Sequence, residues 1–487
     1  LLIHDMTDQG EGIGKQDGFT WFVKDAVIGD RIRARAMKLK KNYGYARLME
    51  VLEPSACRVP ERCPVARQCG GCQLQMMSYP EQLRFKERKV WSNLRRIGGL
   101  DGLRLPGAES AKQEKCQNAG KNDGEINTDS ASVEMEPIIG MDNPWRYRNK
   151  AQFPFGYGRD GKVKTGFYAG RTHSIIENDD CYLGTEENKA VLKAVKDVME
   201  ERGIEPYQEE IHAGLVRHVL IRKGFSTGQL MVCFVINGDK LPYEEEFVER
   251  LLRIPGMTSI SFNVNRERTN VIMGRRTVHL YGPGYIEDKI GDVCYQISPL
   301  SFYQVNPVQT ERLYNTALEF AGLDGTEIVW DLYCGIGTIS LFLARRAKWV
   351  YGVEIVPEAI EDARRNASLN GIENATFFTG KAEEVLPRRY EEYSERADVI
   401  VVDPPRKGCD EACLETIVRM EPDRVVYVSC DSATLARDVK YLTANGYQVS
   451  RVRCCDMFPM SGHVETVVLM NRCQNGEETE VRKNGVL

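Results

Sequence analysis

A thiol and a carboxylic acid in the C-terminal half have the chemistry for covalent catalysis. Cys430 follows the apolar run RVVYVS, and Glu465 stands in the run HVETVVLM. A thiolate that adds to carbon-6 of a pyrimidine makes carbon-5 nucleophilic, and a carboxylate can then remove the carbon-5 proton. An isolated cysteine is more often a small buried hydrophobe, so this interpretation needs a neighbouring ligand site. His463, close to Glu465, is expected to have a structural role.

A glycine turn followed by an acidic residue predicts a nucleotide site. The turn DLYCGIGT at residues 331–338 follows a buried strand and opens a helix, and Glu354 ends the next strand. Glycines let a ligand approach the backbone, and the acid can bind both ribose hydroxyls. Since no third glycine is present to hold a pyrophosphate, we expect an adenosyl ligand without phosphates, S-adenosylmethionine. Cys334 in this turn is a rival thiol whose position favours packing.

A further acidic residue, Asp403, follows the apolar run ADVIVV in the motif DPPRKG. The carboxyl ends of strands border the ligand crevice of an open α/β sheet, so Asp403 is expected near the cofactor. In the similar motif of the adenine-N6 methylases, an aromatic residue follows the prolines and stacks on the base. Arg406 takes that position here, which counts against methylation of an amine.

Four cysteines, Cys57, Cys63, Cys69 and Cys72, lie close together in the chain. The last three follow the spacing C-x5-C-x2-C and end in CGGC, which is typical of a loop that wraps around a metal centre. A fourth thiolate must come from elsewhere, and Cys181 in NDDCYLG, between turn residues, is favoured over Cys57. Ligand softness alone does not separate an iron–sulfur cluster from a tetrathiolate zinc site.

The elements that carry these residues indicate an α/β protein. From about residue 291, buried strand-like runs alternate with helical stretches, which predicts a parallel sheet covered on both faces. Strand-like runs also dominate the middle of the chain, at RHVLIRKG, QLMVCFVING, TSISFNVNRE and TNVIMG. The predicted division is a small RNA-binding β-barrel over 1–54, a mixed α/β central domain over 55–106 and 138–290, a disordered insertion over 107–137, a Rossmann-like domain over 291–471, and a polar tail over 472–487.

Charge is distributed unevenly along the 487 residues. The whole chain has 65 Lys and Arg against 70 Asp and Glu, whereas residues 1–100 have eighteen against eleven. The alternating run RIRARAMKLK predicts a strand with one basic side, which fits a nucleic-acid backbone better than a solvated helix face. No apolar run approaches the ~20 residues of a membrane-spanning helix. We therefore expect a cytoplasmic monomer with an RNA partner and reduced thiols.

Five motifs follow one another in the order SFYQVNP, DLYCGIGT, DPPRKG, SCDSATLARD and HVET. With them the sequence resembles, over nearly its whole length, the RNA uracil-5 methyltransferases that use S-adenosylmethionine. The N-terminal region resembles a TRAM domain, and CGGC resembles the iron–sulfur loop of that family. The resemblance implies a class I methyltransferase fold with Cys430 as nucleophile and Glu465 as proton acceptor. It also implies a cofactor site of Gln304, Tyr333, Glu354 and Asp403, and a [4Fe-4S] cluster held by Cys63, Cys69, Cys72 and Cys181.

The same resemblance bears on the RNA target. Family members that act on tRNA generally lack the TRAM domain and the cysteine loop, whereas members that act on 23S rRNA carry both, so 23S rRNA is favoured over tRNA. A folded RNA must extrude the uridine before carbon-6 can react. Arg146, Arg148, Lys150 and Phe153 are candidates for RNA contact or, equally, for a charged strand that packs on the sheet. Cytosine-5 methylation and a non-catalytic RNA-binding protein with a zinc site are the alternatives.

Overall fold

The N-terminal strands form a five-stranded sheet around a small apolar core. The computed structural model describes residues 1–107, 133–170, 172–393 and 396–473. Ile3, Val23 and Ile32 fill the core, and the edge strand carries the basic side chains of RIRARAMKL. The sheet, in the order β1-β2-β3-β5-β4, consists of β1 (Ile3–Met6), β2 (Gly12–Gln16), β3 (Phe19–Lys24), β4 (Arg31–Leu39) and β5 (Tyr43–Glu53).

A long helix, α1 (Tyr79–Arg96), follows the cysteine loop and joins the N-terminal region to the C-terminal sheet. Val90 and Leu94 recur at helical spacing and are fully buried. Lys86 is also fully buried, and its ammonium group donates to Asp456 Oδ1 at 2.5 Å and to the Phe458 carbonyl at 3.0 Å. A buried charge needs such a partner, so this pair fixes the helix against the segment that leads into the last strand.

The central region is a seven-stranded sheet in the order β13-β12-β11-β10-β7-β8-β9. Its β10 and β11 strands are buried on both faces, because two helices cover one face and the C-terminal region covers the other. The elements are β7 (Lys150–Tyr157), β8 (Val163–Tyr168), β9 (Ile175–Glu177), α2 (Glu187–Glu201), β10 (Val216–Lys223), β11 (Leu230–Ile236), α3 (Glu244–Leu252), β12 (Met257–Val264) and β13 (Arg276–Tyr281).

One strand prediction in this region is wrong. The run TNVIMG has no regular structure, and the edge strand β13 begins after it. The side-chain amide of Asn265 donates to the carbonyls of Val271 and Ile272 at 2.7 and 2.9 Å, so a side chain takes the place of a strand partner. Such local bonds compete with a β ladder and are not visible in the apolar pattern of the run.

The C-terminal sheet has eight strands in the order β18-β17-β16-β19-β20-β22-β21-β6. Strands β16 to β20 are parallel and rich in Val and Ile, as strands covered on both faces are expected to be, while β22 runs antiparallel between β20 and β21. The elements are β6 (Glu136–Ile139), the hairpin β14 (Ile286–Ile290) and β15 (Val293–Ile297), α4 (Pro307–Ala321), β16 (Ile328–Leu332), α5 (Thr338–Ala344), β17 (Trp349–Glu354), α6 (Pro357–Leu369), β18 (Ala375–Thr379), α7 (Ala382–Tyr393), β19 (Val399–Val402), α8 (Glu411–Met420), β20 (Arg424–Ser429), α9 (Ser432–Ala444), β21 (Tyr447–Cys455) and β22 (Glu465–Arg472).

The predicted insertion at 107–137 lies for the most part outside the described residues, and so does the polar tail from residue 474. The last residues of the predicted insertion do have structure, because β6 begins at Glu136 and pairs in parallel with β21. The predicted disordered interval is therefore too long at its C-terminal end. Within the residues that the structure describes, no helix is both long and apolar enough to cross a bilayer.

Candidate active site

The predicted site residues come from separate strands and meet at one edge of the C-terminal sheet. The strand order reverses at β16, and such a switch point opens a ligand crevice beyond the carboxyl ends of the strands. Glu354 ends β17, Asp403 follows β19, and Cys430 follows β20. Asp331, near the end of β16, is not among the predicted site residues, but the structure adds it to them. Because β22 is antiparallel to β20, its first residue, Glu465, lies at the same edge. All five line a cavity of about 880 Å³.

Cys430 and Glu465 are neighbours across two strands. Ser429 pairs with Thr466, so the residues that follow and precede them lie side by side at the sheet edge. Glu465 is buried, whereas Cys430 is partly exposed to the cavity. Burial, and then the charge of Glu465, raise the pKa of the Cys430 thiol to about 11. The thiol is therefore the dominant form in the free protein, and the thiolate requires a positive charge nearby.

Three carboxyl groups of the cavity, those of Glu465, Asp403 and Asp331, have raised pKa values. Burial, and then the charge of Asp403, raise the pKa of Glu465 to about 8, and burial raises the pKa of Asp403 to about 7. Burial also raises the pKa of Asp331 to about 7, although the Ser340 hydroxyl donates to its Oδ2 atom at 2.5 Å. Carboxyl groups with such values can exchange protons at neutral pH.

Glu354 is fixed beside the glycine turn. The Gly335 N–H donates to Glu354 Oε2 at 3.3 Å, and the Val356 N–H donates to Oε1 at 3.0 Å. Tyr333 has a φ of 69° and Gly337 a φ of 81°, so the backbone takes left-handed conformations on both sides of the turn. A turn of this shape leaves backbone groups accessible to a ligand beneath the carboxylate.

Gln304 and Tyr333, which only the family resemblance pointed to, both line the cavity. The amide of Asn149 donates to the Gln304 carbonyl at 2.9 Å, so the start of β7 positions the segment that carries Gln304. Cys334, the rival thiol, is buried, and burial raises its pKa well above the ordinary value. This burial agrees with the packing role that its position in the turn predicts. Of the two rival thiols, Cys430 is the more exposed one and lines the cavity.

Three rings at the cavity were missed as site residues. Phe302 is 69% exposed, and the rings of Phe458 and His463 lie edge to face with centroids 6.2 Å apart. Burial, and then the charge of Arg406, lower the pKa of His463 to about 4, so its ring is neutral at pH 7. A planar base can stack on such rings. Phe302 stands in SFYQVNP and could have been considered, whereas only tertiary packing brings Phe458 to the cavity.

Arg406 is a cation whose charge acts on both Cys430 and Glu465, a role that its place in the sequence motif did not predict. Its charge lowers the pKa values of both Cys430 and Glu465, opposing their burial. Helix α9 anchors the loop, since the Thr434 hydroxyl donates to the Arg406 carbonyl at 3.1 Å and the Arg437 guanidinium donates to the next carbonyl at 3.0 Å. Helix α9 therefore holds the backbone of the segment from which the exposed Arg406 side chain supplies positive charge to the site.

A second cavity, of about 400 Å³, lies between the central sheet and the cysteine loop. Its wall includes Arg148, Lys150 and the four thiols of Cys63, Cys69, Cys72 and Cys181. Burial, and after it the neighbouring Cys181 thiol, raise the pKa of each of the three loop thiols. Cys57 packs elsewhere, against the apolar cluster of Leu74 and Met77.

The four thiols of the cysteine cavity are soft ligands, but they are not arranged around one point as a single metal ion requires. Among the described residues, no group of three or more His, Cys, Asp and Glu side chains could hold a metal ion as arranged. A single zinc ion needs all four sulfurs at about 2.3 Å from one point.

The predicted RNA-contact residues have different positions. Phe153 is fully buried in the core of the central sheet, so the prediction of RNA contact is wrong for it. Arg146 donates to the Cys181 carbonyl at 2.9 Å and holds the segment that carries this thiol. Arg148 and Lys150 line the cysteine cavity. The alternative, a charged strand that packs within the fold, describes Phe153 and Arg146 better.

A crevice at the switch point of a parallel sheet, with a glycine turn and an acid on the next strand, defines a nucleotide-binding α/β enzyme. Residues 284–473 match the family described as tRNA (Uracil-5-)-methyltransferase, and residues 1–49 match the TRAM domain. An uncharacterized RNA methyltransferase of Halalkalibacterium halodurans is 50% identical over 471 residues, 96% of each chain. Another, from Clostridium acetobutylicum, is 45% identical over 473 residues, 97% of this chain and 96% of the relative. The chain therefore belongs to the RNA uracil-5 methyltransferase family.

A solved structure agrees with this membership. The Pyrococcus abyssi tRNA (uracil-54, C5)-methyltransferase in complex with S-adenosyl-L-homocysteine is 28% identical and has a TM-score of 0.74. The match covers 96% of this chain and 98% of that one. The family resemblance and the α/β fold class with an N-terminal TRAM domain are thus confirmed.

Proposed function

We propose that the protein methylates carbon-5 of a uridine in RNA and takes the methyl group from S-adenosylmethionine. The observation that carries the proposal is the side-by-side placement of Cys430 and Glu465 on the cavity that Glu354 also lines. The cavity fits an adenosyl ligand, because Glu354 lies beside the glycine turn and the Oδ1 atom of Asp331 is buried without a partner. A ligand amine or hydroxyl can donate to that atom.

Cys430 begins the reaction. Its thiolate adds to carbon-6 of the extruded uracil, and the electrons of the 5,6 double bond become available at carbon-5. Arg406 favours the thiolate, since it is the positive charge beside it. Stacking of the uracil on Phe302, Phe458 or His463 would hold carbon-6 toward the thiol. S-adenosylmethionine, when bound, supplies an electrophilic methyl group for carbon-5.

Glu465 completes the reaction. After methyl transfer, carbon-5 carries both a methyl group and a proton, and the ring regains its double bond only when the proton leaves. Glu465 lies next to Cys430 and can accept this proton as a carboxylate, after which the carbon-6 to sulfur bond breaks. Its buried position keeps water away from the adduct.

The substrate we assign is 23S rRNA, bound in part by the basic strand β4. Arg35 lies directly opposite Arg47 of β5, and like charges across a strand pair are unfavourable without an anionic partner. Arg31 and Arg33, in contrast, are paired with acidic residues of β5. The second candidate substrate is tRNA, because the Pyrococcus abyssi relative that spans nearly the whole chain acts on uracil-54 of tRNA.

The test uses RNA that contains 5-fluorouridine. Fluorine on carbon-5 cannot leave as a proton, so the enzyme should remain covalently attached to the RNA after methyl transfer. We expect a denaturation-stable adduct with 23S rRNA for the wild type and for Cys334→Ala, and none for Cys430→Ala. An adduct with tRNA alone would reverse the substrate assignment, and an adduct in Cys430→Ala would refute the mechanism. Nucleoside mass spectrometry of ordinary RNA separates 5-methyluridine from 5-methylcytidine.

We further propose that the cysteine cavity holds a [4Fe-4S] cluster with Cys63, Cys69, Cys72 and Cys181 as ligands. The support is that all four thiols line one cavity, with the loop spacing C-x5-C-x2-C for three of them. Protein purified without oxygen should contain about four iron atoms and four sulfides per chain, with thiolate-to-iron absorption in the visible range. Cys181→Ala should lose the iron, and Cys57→Ala should retain it. Zinc in place of iron would support the alternative site.

A further inference from the structure

The main cavity is lined by more acidic side chains than basic ones. In the carboxyl cluster, defined as Asp331, Asp403 and Glu465, Asp331 and Glu465 are buried and Asp403 is partly buried. Within the part of the chain that the structure describes, the carboxyl groups of Asp403 and Glu465 accept no hydrogen bond and form no ion pair. Asp331 accepts one bond, from Ser340, and its Oδ1 atom has no partner. Buried carboxylates without partners are unfavourable, so the cavity is built for a cationic occupant or for protonated acids.

The groups that face the cluster do not neutralise it. Arg406 is the one cation, among the described residues, whose charge acts on Glu465 and Cys430. Glu354 adds a further negative charge near Asp331 from β17, while Tyr314 on α4 and Cys455 on β21 face the cluster as neutral groups. His463 is neutral at pH 7. The free cavity therefore reaches electrical balance by keeping protons on its acids and on Cys430.

We propose that the protons of the carboxyl cluster and of Cys430 are coupled to the positive charge on the sulfur of the bound methyl donor. The inference rests on the proposed function. With a sulfonium ion bound in this cavity, the carboxyl cluster would no longer need its protons for electrical balance. The cluster and Cys430 would then release protons to solvent, and Cys430 would be favoured as the thiolate. Glu465 is then a free carboxylate, which is the form that a base requires.

The same coupling also determines when Glu465 can accept the carbon-5 proton after methyl transfer. Cys430 donates an electron pair to carbon-6, carbon-5 forms its bond to the methyl carbon, and the pair of the broken carbon–sulfur bond stays on the donor sulfur. The cavity has now lost its positive charge, and Glu465 regains affinity for a proton when the carbon-5 proton must leave. Glu465 takes that proton, the double bond returns, and the thiolate departs with the electrons of the carbon–sulfur bond. Glu465 later gives the proton to solvent.

Two ligands that differ by one charge test the coupling. S-adenosylmethionine carries a sulfonium and S-adenosylhomocysteine a neutral thioether, while sinefungin places a protonated amine near the sulfonium position. Calorimetric titrations at pH 7 in buffers of different ionisation enthalpy give the number of protons that each ligand releases. We expect the two charged ligands to release about one proton more than S-adenosylhomocysteine. Equal proton numbers for all three ligands would overturn the coupling.

Amino-acid substitutions show which groups release the protons when a charged ligand binds. Glu465→Gln should remove most of the difference between the charged and neutral ligands, and the exposed Glu415→Gln should preserve it. The comparison of ligands on the wild type needs no variant, so a folding defect of Glu465→Gln leaves the test intact. Equal proton release together with 5-methyluridine formation would refute the coupling alone. If the protein neither bound S-adenosylmethionine nor methylated RNA, the proposed function would be refuted as well.

Discussion

Replacing Glu465 by glutamine should stabilise the free protein at neutral and alkaline pH while it abolishes turnover. Burial and the Asp403 charge raise the pKa of Glu465 from the ordinary 4.5 to about 8. The pKa of Glu465 is higher in the folded protein than in the unfolded chain. Its contribution to the free energy of unfolding is therefore fully present below pH 4.5 and is lost as the pH rises through 8. Those two values give a loss of about 1 kcal/mol at pH 5, about 3 kcal/mol at pH 7 and about 5 kcal/mol at pH 9.

Urea unfolding at these three pH values measures the effect, with tryptophan fluorescence as the signal. Trp330 and Trp349 lie on adjacent strands of the sheet that carries Glu465. Glutamine has nearly the same shape and no charge, so the variant should lose about 4 kcal/mol less stability than wild type between pH 5 and pH 9. The raised pKa values of Asp331 and Asp403 cause a loss that both proteins share, and Glu415→Gln should behave as wild type. If wild type and Glu465→Gln lost stability in parallel between pH 5 and pH 9, Glu465 would not be the buried acid described above.

Three other substitutions have defined outcomes. Lys86→Met leaves the Asp456 charge buried without its partner and should cost about 3–5 kcal/mol in urea unfolding, with partial recovery in Lys86→Met/Asp456→Asn. Gly337→Ala strains a left-handed residue beside the cofactor turn and should weaken S-adenosylhomocysteine binding about tenfold by calorimetry; unchanged affinity would exclude that turn from the site. Arg35→Gln/Lys38→Gln should lower the salt dependence of RNA binding by about 1.4 in log–log slope, and an unchanged slope would place the RNA elsewhere.

The sequence predicts the C-terminal sheet well because its signal is local. Runs such as VIVV and RVVYVS combine apolar character with β-branched side chains, and each is followed by a helix. Chemistry-bearing residues at the ends of parallel strands must meet at one edge, so the strand pattern alone is enough to group Asp331, Glu354, Asp403 and Cys430. To place Glu465 at the same edge, one must also know that β22 runs antiparallel to β20.

The features that sequence reasoning missed depend on contacts between distant segments. The position of Phe458 at the cavity depends on a hydrogen bond in which its carbonyl accepts from Lys86 of α1, a residue distant in the sequence. The role of Arg406 depends on its proximity to Cys430 and Glu465, which no spacing in DPPRKG reveals. Side-chain bonds from Asn265 likewise turn an apolar run into a loop. For Phe458 and Arg406 the decisive partner lies outside the window in which periodicity is read, whereas the Asn265 bonds are local but are not recorded by an apolar pattern.

The parallel strand β6 has a practical consequence for dissecting this enzyme. It comes from before the central region yet completes the outer edge of the sheet against β21. A fragment cut at the family-matched boundary, residues 284–473, would expose that backbone edge to other molecules and would strip Asp456 of its ammonium partner. Chimeras that exchange catalytic halves between relatives should therefore carry residues 79–107 and 133–140 along with the C-terminal half, or they will aggregate before any activity can be compared.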